Sequence, residues 1–160
     1  MLKKLCCLLL LAGAAPLAHA QTRPAPVKVP ATTATPLEAT ATKEHDTMVI
    51  ELTDAPMVIW RRLAQVLAVR GYAIEHSSPE LLTLATYPLE VRSSRIRIAG
   101  MVEGRTLMVR AYAVYQNEGY PETNQRARRR GGDNAEWEEL AAIGQQLGGT
   151  IRYTTSAAPQ

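Results

Sequence analysis

Between residues 47 and 153 the apolar positions follow two different periods. Met48, Ile50 and Leu52, separated by Val49 and Glu51, repeat as in a strand with one buried face. Ile59, Trp60, Leu63, Val66 and Leu67 recur instead at helical spacing, with Pro56 before them and Gly71 after. Proline suits the first turn of a helix, where its missing N–H removes no bond, and glycine takes the left-handed conformation that ends one. Thr53 or Asp54 is the expected N-cap of this helix.

Strand periodicity then returns. Tyr72 to Glu75 reads as a short strand, and Ser77-Ser78-Pro79-Glu80 as a turn. Leu82, Leu84 and Thr86 line the inner face of a third strand, which Pro88 stops. Ile96 and Ile98 alternate with Arg95 and Arg97 in a fourth, Glu103-Gly104 turns the chain, and Leu107 to Tyr115 forms a fifth. From Gln116 to Asp133 no period survives, which predicts a mobile loop. Asp133 or Asn134 opens a second helix, whose early Glu136, Glu138 and Glu139 suit the positive end of its dipole. Trp137, Leu140, Ala141, Gly144 and Leu147 form its apolar stripe, Gly148-Gly149 ends it, and Ile151 to Tyr153 leaves room for a last strand. The order β-α-β-β-β-β-α predicts an α+β fold: a single small antiparallel sheet with two helices packed on one face, helix-grip-like.

The remaining segments say where the domain goes. Lys3 and Lys4, an apolar run from Leu5 through Ala15, a breaking Pro16 and Ala18-His19-Ala20 together have the form of a signal peptide cleaved after Ala20. Its apolar run is shorter than the ~20 residues a membrane span needs. Residues 21–46 are rich in Pro, Thr and Ala and predict a disordered tether; 47–153 should be the folded domain and 154–160 a disordered tail. Both cysteines, Cys6 and Cys7, precede most of the apolar run, so neither is placed for lipidation. A mature chain without cysteine must be held by its core alone. These features predict a periplasmic or secreted protein of the bacterial cell envelope.

Charge adds little. The whole chain carries +3, but losing Lys3 and Lys4 leaves 16 basic against 15 acidic residues, a net +1. With so little net charge, and an exported address, no nucleic acid is expected as partner.

Candidate chemistry is sparse. His45, in the expected tether, and His76, at a strand end, have no second histidine or cysteine at metal-ligand spacing, so no metal or cofactor is expected. Ser77, Ser78, Ser93 and Ser94 lack the glycines of a nucleophile elbow, and Glu51, Glu75, Glu80 and Glu90 are scattered. No catalytic residue is assigned, and the chain is expected not to be an enzyme. Two surfaces are more informative. Pairing the fourth and fifth strands so that Gly100 faces Leu107, Ile98 faces Val109 and Ile96 faces Ala111 gathers apolar residues on one face. The same register sets Arg97 opposite Arg110 and Arg95 opposite Tyr112 on the other face, a composition enriched at interfaces. Arg126, Arg128, Arg129 and Arg130 form a second candidate, an anion-binding loop for acidic lipid or lipopolysaccharide.

From Ile50 to Val114 the pattern resembles the helix-grip domains of BamC-type envelope proteins. The shared features are the strand, a helix opening at Ala55-Pro56 with Trp60 and Leu63, Gly71-Tyr72-Ala73-Ile74, the Leu81-Leu82-Thr83-Leu84 strand, an arginine-rich hairpin, and a closing helix after a long loop. The resemblance implies a non-catalytic periplasmic interaction role in outer-membrane protein assembly. This chain departs from that family in having no lipobox cysteine. The leading expectation is a monomeric binding or scaffold domain with an envelope protein partner. The alternatives are a small-ligand binder or enzyme with a pocket between helix and sheet, or a binder of anionic lipid or another polyanion through the arginine loop.

Overall fold

The computed structural model describes residues 37–116, 118–129 and 134–156. The signal peptide, most of the tether, Arg130, Asp133 and residues 157–160 lie outside the described residues. The elements are β1 (Thr47–Glu51), α1 (Pro56–Val69), β2 (Ile74–Ser78), β3 (Thr83–Thr86), β4 (Leu89–Val91), β5 (Ser94–Glu103), β6 (Thr106–Tyr115), β7 (Thr123–Arg126), α2 (Ala135–Leu147) and β8 (Thr150–Thr154). One antiparallel sheet runs β2-β3-β5-β6-β1-β8, with β4 also paired to β5 and β7 to β6. The fold is the expected α+β sheet with two helices, enlarged by strands that lack a clear alternating pattern.

Helix α1 stops for a complete local reason. Arg70 is the C-cap residue, and Gly71 after it takes φ +91. The Gly71 N–H then reaches the Ala68 carbonyl and the Tyr72 N–H the Leu67 carbonyl, both at 3.0 Å. That pair of bonds is the Schellman arrangement, and the buried Leu67 and Tyr72 supply its usual apolar contact. The start differs from expectation: Ala55 is the cap residue, without a side-chain bond, and Pro56 alone sets the first turn. Helix α2 is capped as expected by Asn134, whose side chain accepts from the Trp137 N–H at 3.1 Å.

Both helices cover one face. Ile59, Leu63 and Leu67 of α1 and Leu140, Ile143 and Leu147 of α2 join Met48, Ile50, Ile96, Ile98, Leu107 and Val109 in a core without solvent contact. Two glycines let the layers close. A Cβ at Gly100 would lie 2.3 Å from Leu63 Cδ2, and one at Gly144 would lie 2.4 Å from Met48 Sδ. Neither atom pair can coexist, so Gly100 and Gly144 are where helix and sheet approach most tightly.

An ion pair ties the two helices at their edge. Arg70 donates to both oxygens of Glu139, at 2.7 and 2.5 Å, and Glu139 is buried. The bond to Glu139 raises the Arg70 pKa against the opposing effect of burial. Burial, with the nearby Glu139 carboxylate, also pushes the Tyr72 phenol up. Arg92, at φ +55 in the β4–β5 turn, pairs with Glu138 beside it.

Three expectations are corrected. The ordered fold begins before Thr47: Glu38 exchanges two backbone bonds with Tyr153 on the outer side of β8, and Ala41, His45 and Asp46 are buried. His45 accepts from the Thr42 N–H at 2.9 Å and stacks on Tyr153, so it is a packed residue and not part of a tether. The tail begins later than expected, since Thr154 lies in β8 and Ser156 binds Asp46. Within the expected loop, β7 pairs with β6, and the Ala127 N–H reaches the Ala111 carbonyl at 2.9 Å.

Candidate functional site

Because both helices lie on one side, the other face of the sheet is open over β3, β5 and β6, although Thr47 and Val49 of β1 are buried there. The side chains there are the outward alternates of these three strands: Thr83 and Ala85 of β3; Arg95, Arg97, Ala99 and Met101 of β5; Met108, Arg110 and Tyr112 of β6. All four residues expected on the interaction surface, Arg95, Arg97, Arg110 and Tyr112, are therefore on this face, but not in the expected pairs. The observed register sets Ile98 opposite Ala111, Gly100 opposite Val109 and Ile96 opposite Ala113. It also sets Arg97 opposite Tyr112 and Ala99 opposite Arg110. The displacement is two residues, so inward and outward positions keep their faces while every partner changes. Its cause is the turn. Glu103 pairs with Thr106, leaving Gly104 and Arg105 as a two-residue loop with Gly104 at φ +58.

The observed register no longer sets Arg97 directly opposite Arg110, and several arginines lie beside carboxylates. Arg97 lies 3.4 Å from Glu75 and 3.3 Å from Glu122. Arg95 lies 3.6 Å from Glu90 and 3.8 Å from Glu122, and donates to Gln116 at 3.1 Å. Arg126 approaches Asp46 at 3.7 Å, and Arg152 approaches Glu51 at 3.8 Å.

Arg110 differs. Its Nε donates to Thr47 Oγ1 at 2.9 Å, and Thr47 in turn donates to Asp46 at 2.7 Å. The two terminal nitrogens of its guanidinium meet no carboxylate among the described residues. Arg110 is thus a positioned cation held by a neutral hydroxyl.

Next to it the sheet surface sinks into a groove of about 260 Å³. Ala85 and Ala99 face each other across β3 and β5, and Met101 faces Met108 across β5 and β6. The short alanines and the two methionines supply its apolar lining, and His76, Thr83 and Arg110 its polar groups. Met101 is 42 % exposed, high for an apolar residue in the middle of a sheet.

Behind Arg110 lies a hydrogen-bonded network centred on Asp46. Asp46 accepts from Thr47, from the Ser156 N–H at 2.8 Å and from Ser156 Oγ at 2.5 Å. Burial alone would raise its pKa, but the Ser156 and Thr47 hydrogen bonds and the Arg126 charge outweigh that and hold the carboxyl below its ordinary value.

The expected anion-binding loop is largely engaged in internal contacts. Arg126 donates to Ser156 at 2.6 Å, and Arg129 reaches the Ala41 carbonyl. Arg128 is exposed, and its backbone carbonyl accepts from the Asn134 side chain. A wider cleft of about 940 Å³ lies between the β4–β5 turn and the β6–β7 connection, where Glu90, Arg95, Glu118, Tyr120 and Glu136 line an open rim. The space between helices and sheet, where a ligand pocket was the alternative expectation, is occupied at Gly100 by Leu63 and at Gly144 by Met48. Among the described residues no three His, Cys, Asp or Glu side chains cluster as a metal site, and no helix is long and apolar enough to cross a membrane.

The apolar members of the groove were not singled out from sequence. A signal for them exists: the outward series of β5 runs Arg95, Arg97, Ala99, Met101, turning from charged to apolar where alternation calls for polar residues. Compared with known proteins, the chain matches no family model and no curated protein.

Proposed function

We propose that this chain is an exported, non-catalytic binding module of a bacterial cell envelope, which receives its ligand on the open face of its sheet. The observation that carries the reading is the uncovered groove around Met101 and Met108, beside an arginine whose terminal nitrogens meet no carboxylate among the described residues. Antiparallel sheets with one solvated face normally present polar residues there, so an apolar trough on that face calls for something to cover it. The export signal and the resemblance to BamC-type domains support the same reading. The arginine loop is the weaker candidate, because Arg126 and Arg129 already hold internal partners.

The test is site-specific photo-crosslinking in the native host. A benzophenone side chain at Met101 should give a discrete adduct that the same group at Val69, exposed on α1, does not. Equal adduct patterns from the two positions would refute a ligand face on the sheet. Charge reversal at Arg97 is a poor probe, since it would set a third carboxylate beside Glu75 and Glu122.

A further inference from the structure

The groove has a chemistry specific enough to name a ligand class, and the inference rests on the open face being the binding face. We propose that it binds a carboxylate carried on a short hydrocarbon chain, with Arg110 clamping the carboxylate and Ala85, Ala99, Met101 and Met108 holding the chain.

Three observations converge. The first is charge. Arg95, Arg97, Arg126 and Arg152 each lie beside a carboxylate, whereas the Arg110 terminal nitrogens face none among the described residues. A guanidinium is a planar fork that fits a carboxylate with two parallel bonds. Thr47 already fixes Arg110 through Nε, so the fork is oriented before any ligand arrives.

The second is shape. The trough measures about 260 Å³, and at the ~30 Å³ of a water-sized group it has room for roughly nine non-hydrogen atoms. Its floor is low only because alanine occupies both facing positions, 85 and 99. Methionine walls adapt to unbranched chains better than β-branched ones would.

The third is the backbone. The groove lies on the face of a sheet whose N–H and C=O groups are already paired within the β3–β5–β6 ladder. A peptide laid there would find no main-chain partners for its own amides, and unpaired amides are costly to cover. A hydrocarbon chain needs none. The site therefore favours a small amphiphile over a polypeptide.

The experiment uses octanoate as probe and backbone amide NMR of the purified protein as readout. Octanoate should give saturable shifts at Ala85, Ala99, Met101 and Met108, with octanol binding about tenfold more weakly, as expected for loss of one charge-assisted contact. Arg110→Met should erase the difference between the two ligands. Ala99→Met, which fills the trough and leaves Arg110 alone, should abolish both; unchanged melting of either variant excludes a folding defect. Absence of saturable octanoate shifts in the groove overturns the proposal, as does octanoate binding that Arg110→Met leaves intact. A tripeptide with a free leucine carboxylate is the comparison arm, and tighter groove binding by the peptide would also overturn the proposal. If octanoate fails while the Met101 crosslinker still gives its own adduct, only the ligand class falls. If the crosslinker fails too, the sheet-face reading falls with it.

Discussion

The Arg70–Glu139 pair offers a stringent test of what joins the two helices. Arg70→Met keeps most of the aliphatic stem and removes the charge, leaving Glu139 with its side chain 8 % exposed and beside the Tyr72 phenol. Removing one partner of a buried pair costs about 3–5 kcal/mol, because the remaining charge is neither solvated nor compensated. Arg70 is itself 21 % exposed, so water can enter where it was, and the lower end, about 3 kcal/mol, is expected. For a domain of this size that is a fall of about 10 °C in melting temperature. The built-in control is Arg62–Asp54, a 3.3 Å pair with both side chains more than a third exposed, where Arg62→Met should cost less than about 1 kcal/mol. The double variant Arg70→Met, Glu139→Leu should recover most of the loss, since it removes the stranded charge. Urea denaturation of the four proteins measures these differences. Equal losses for Arg70→Met and Arg62→Met, or a double variant no more stable than Arg70→Met alone, would refute the account.

Other predictions follow from the same structure. Asp46 has its pKa lowered by folding, so its contribution is present above the unfolded-state value near 3.8 and is lost as pH falls through the lower folded value. Asp46→Asn should therefore lower stability at neutral pH by about 1–3 kcal/mol and flatten the acid limb of a stability-versus-pH curve; an acid limb identical to that of the parent would contradict the assignment. Gly100→Ala should destabilise by about 1–3 kcal/mol despite alanine's better strand propensity, because its Cβ meets Leu63 in a filled core. Pairing it with Leu63→Val should recover part of that loss, and additive losses in the double variant would show that the contact is not the cause. Asn134→Ala should cost about 1 kcal/mol by freeing the Trp137 N–H, measured as a shift in urea midpoint.

Much of this architecture is written locally. Ile59, Leu63 and Leu67 at helical spacing, Pro56 before them and Gly71 after them define α1, because the apolar stripe, the missing proline donor and the left-handed glycine are properties of neighbouring residues. Asn134 and the stripe from Trp137 to Leu147 do the same for α2. Period-two alternation likewise assigns Ile96 and Ile98 to the core and Arg95 and Arg97 to the open face, and that assignment survives a register error of two.

What alternation cannot say is which residue faces which. The Gly104-Arg105 turn decides that, and with it whether Arg97 opposes Arg110 or Tyr112. The strand β7, with the sequence Thr-Asn-Gln-Arg, has no apolar period and exists because Tyr112 to Tyr115 extend past β1 with backbone groups to be paired. The stretch from Glu38 to Asp46 has a linker's composition, yet distant partners, Tyr153, Ser156 and Arg129, pin it to the domain and bury Ala41, His45 and Asp46 within it. The candidate site belongs to this second class. The outward apolar turn at Ala99 and Met101 is visible in the chain, but that Ala85 and Met108 join them is not, and Arg110 stands out only when the carboxylates at 46, 51, 75, 90 and 122 have chosen other arginines. Local sequence determined the two helices and the long central strands and which face of each is apolar, since neighbouring residues carry that information. Tertiary structure alone decided the groove and the positioned Arg110 beside it, because both depend on register and charge pairing between segments far apart in the chain.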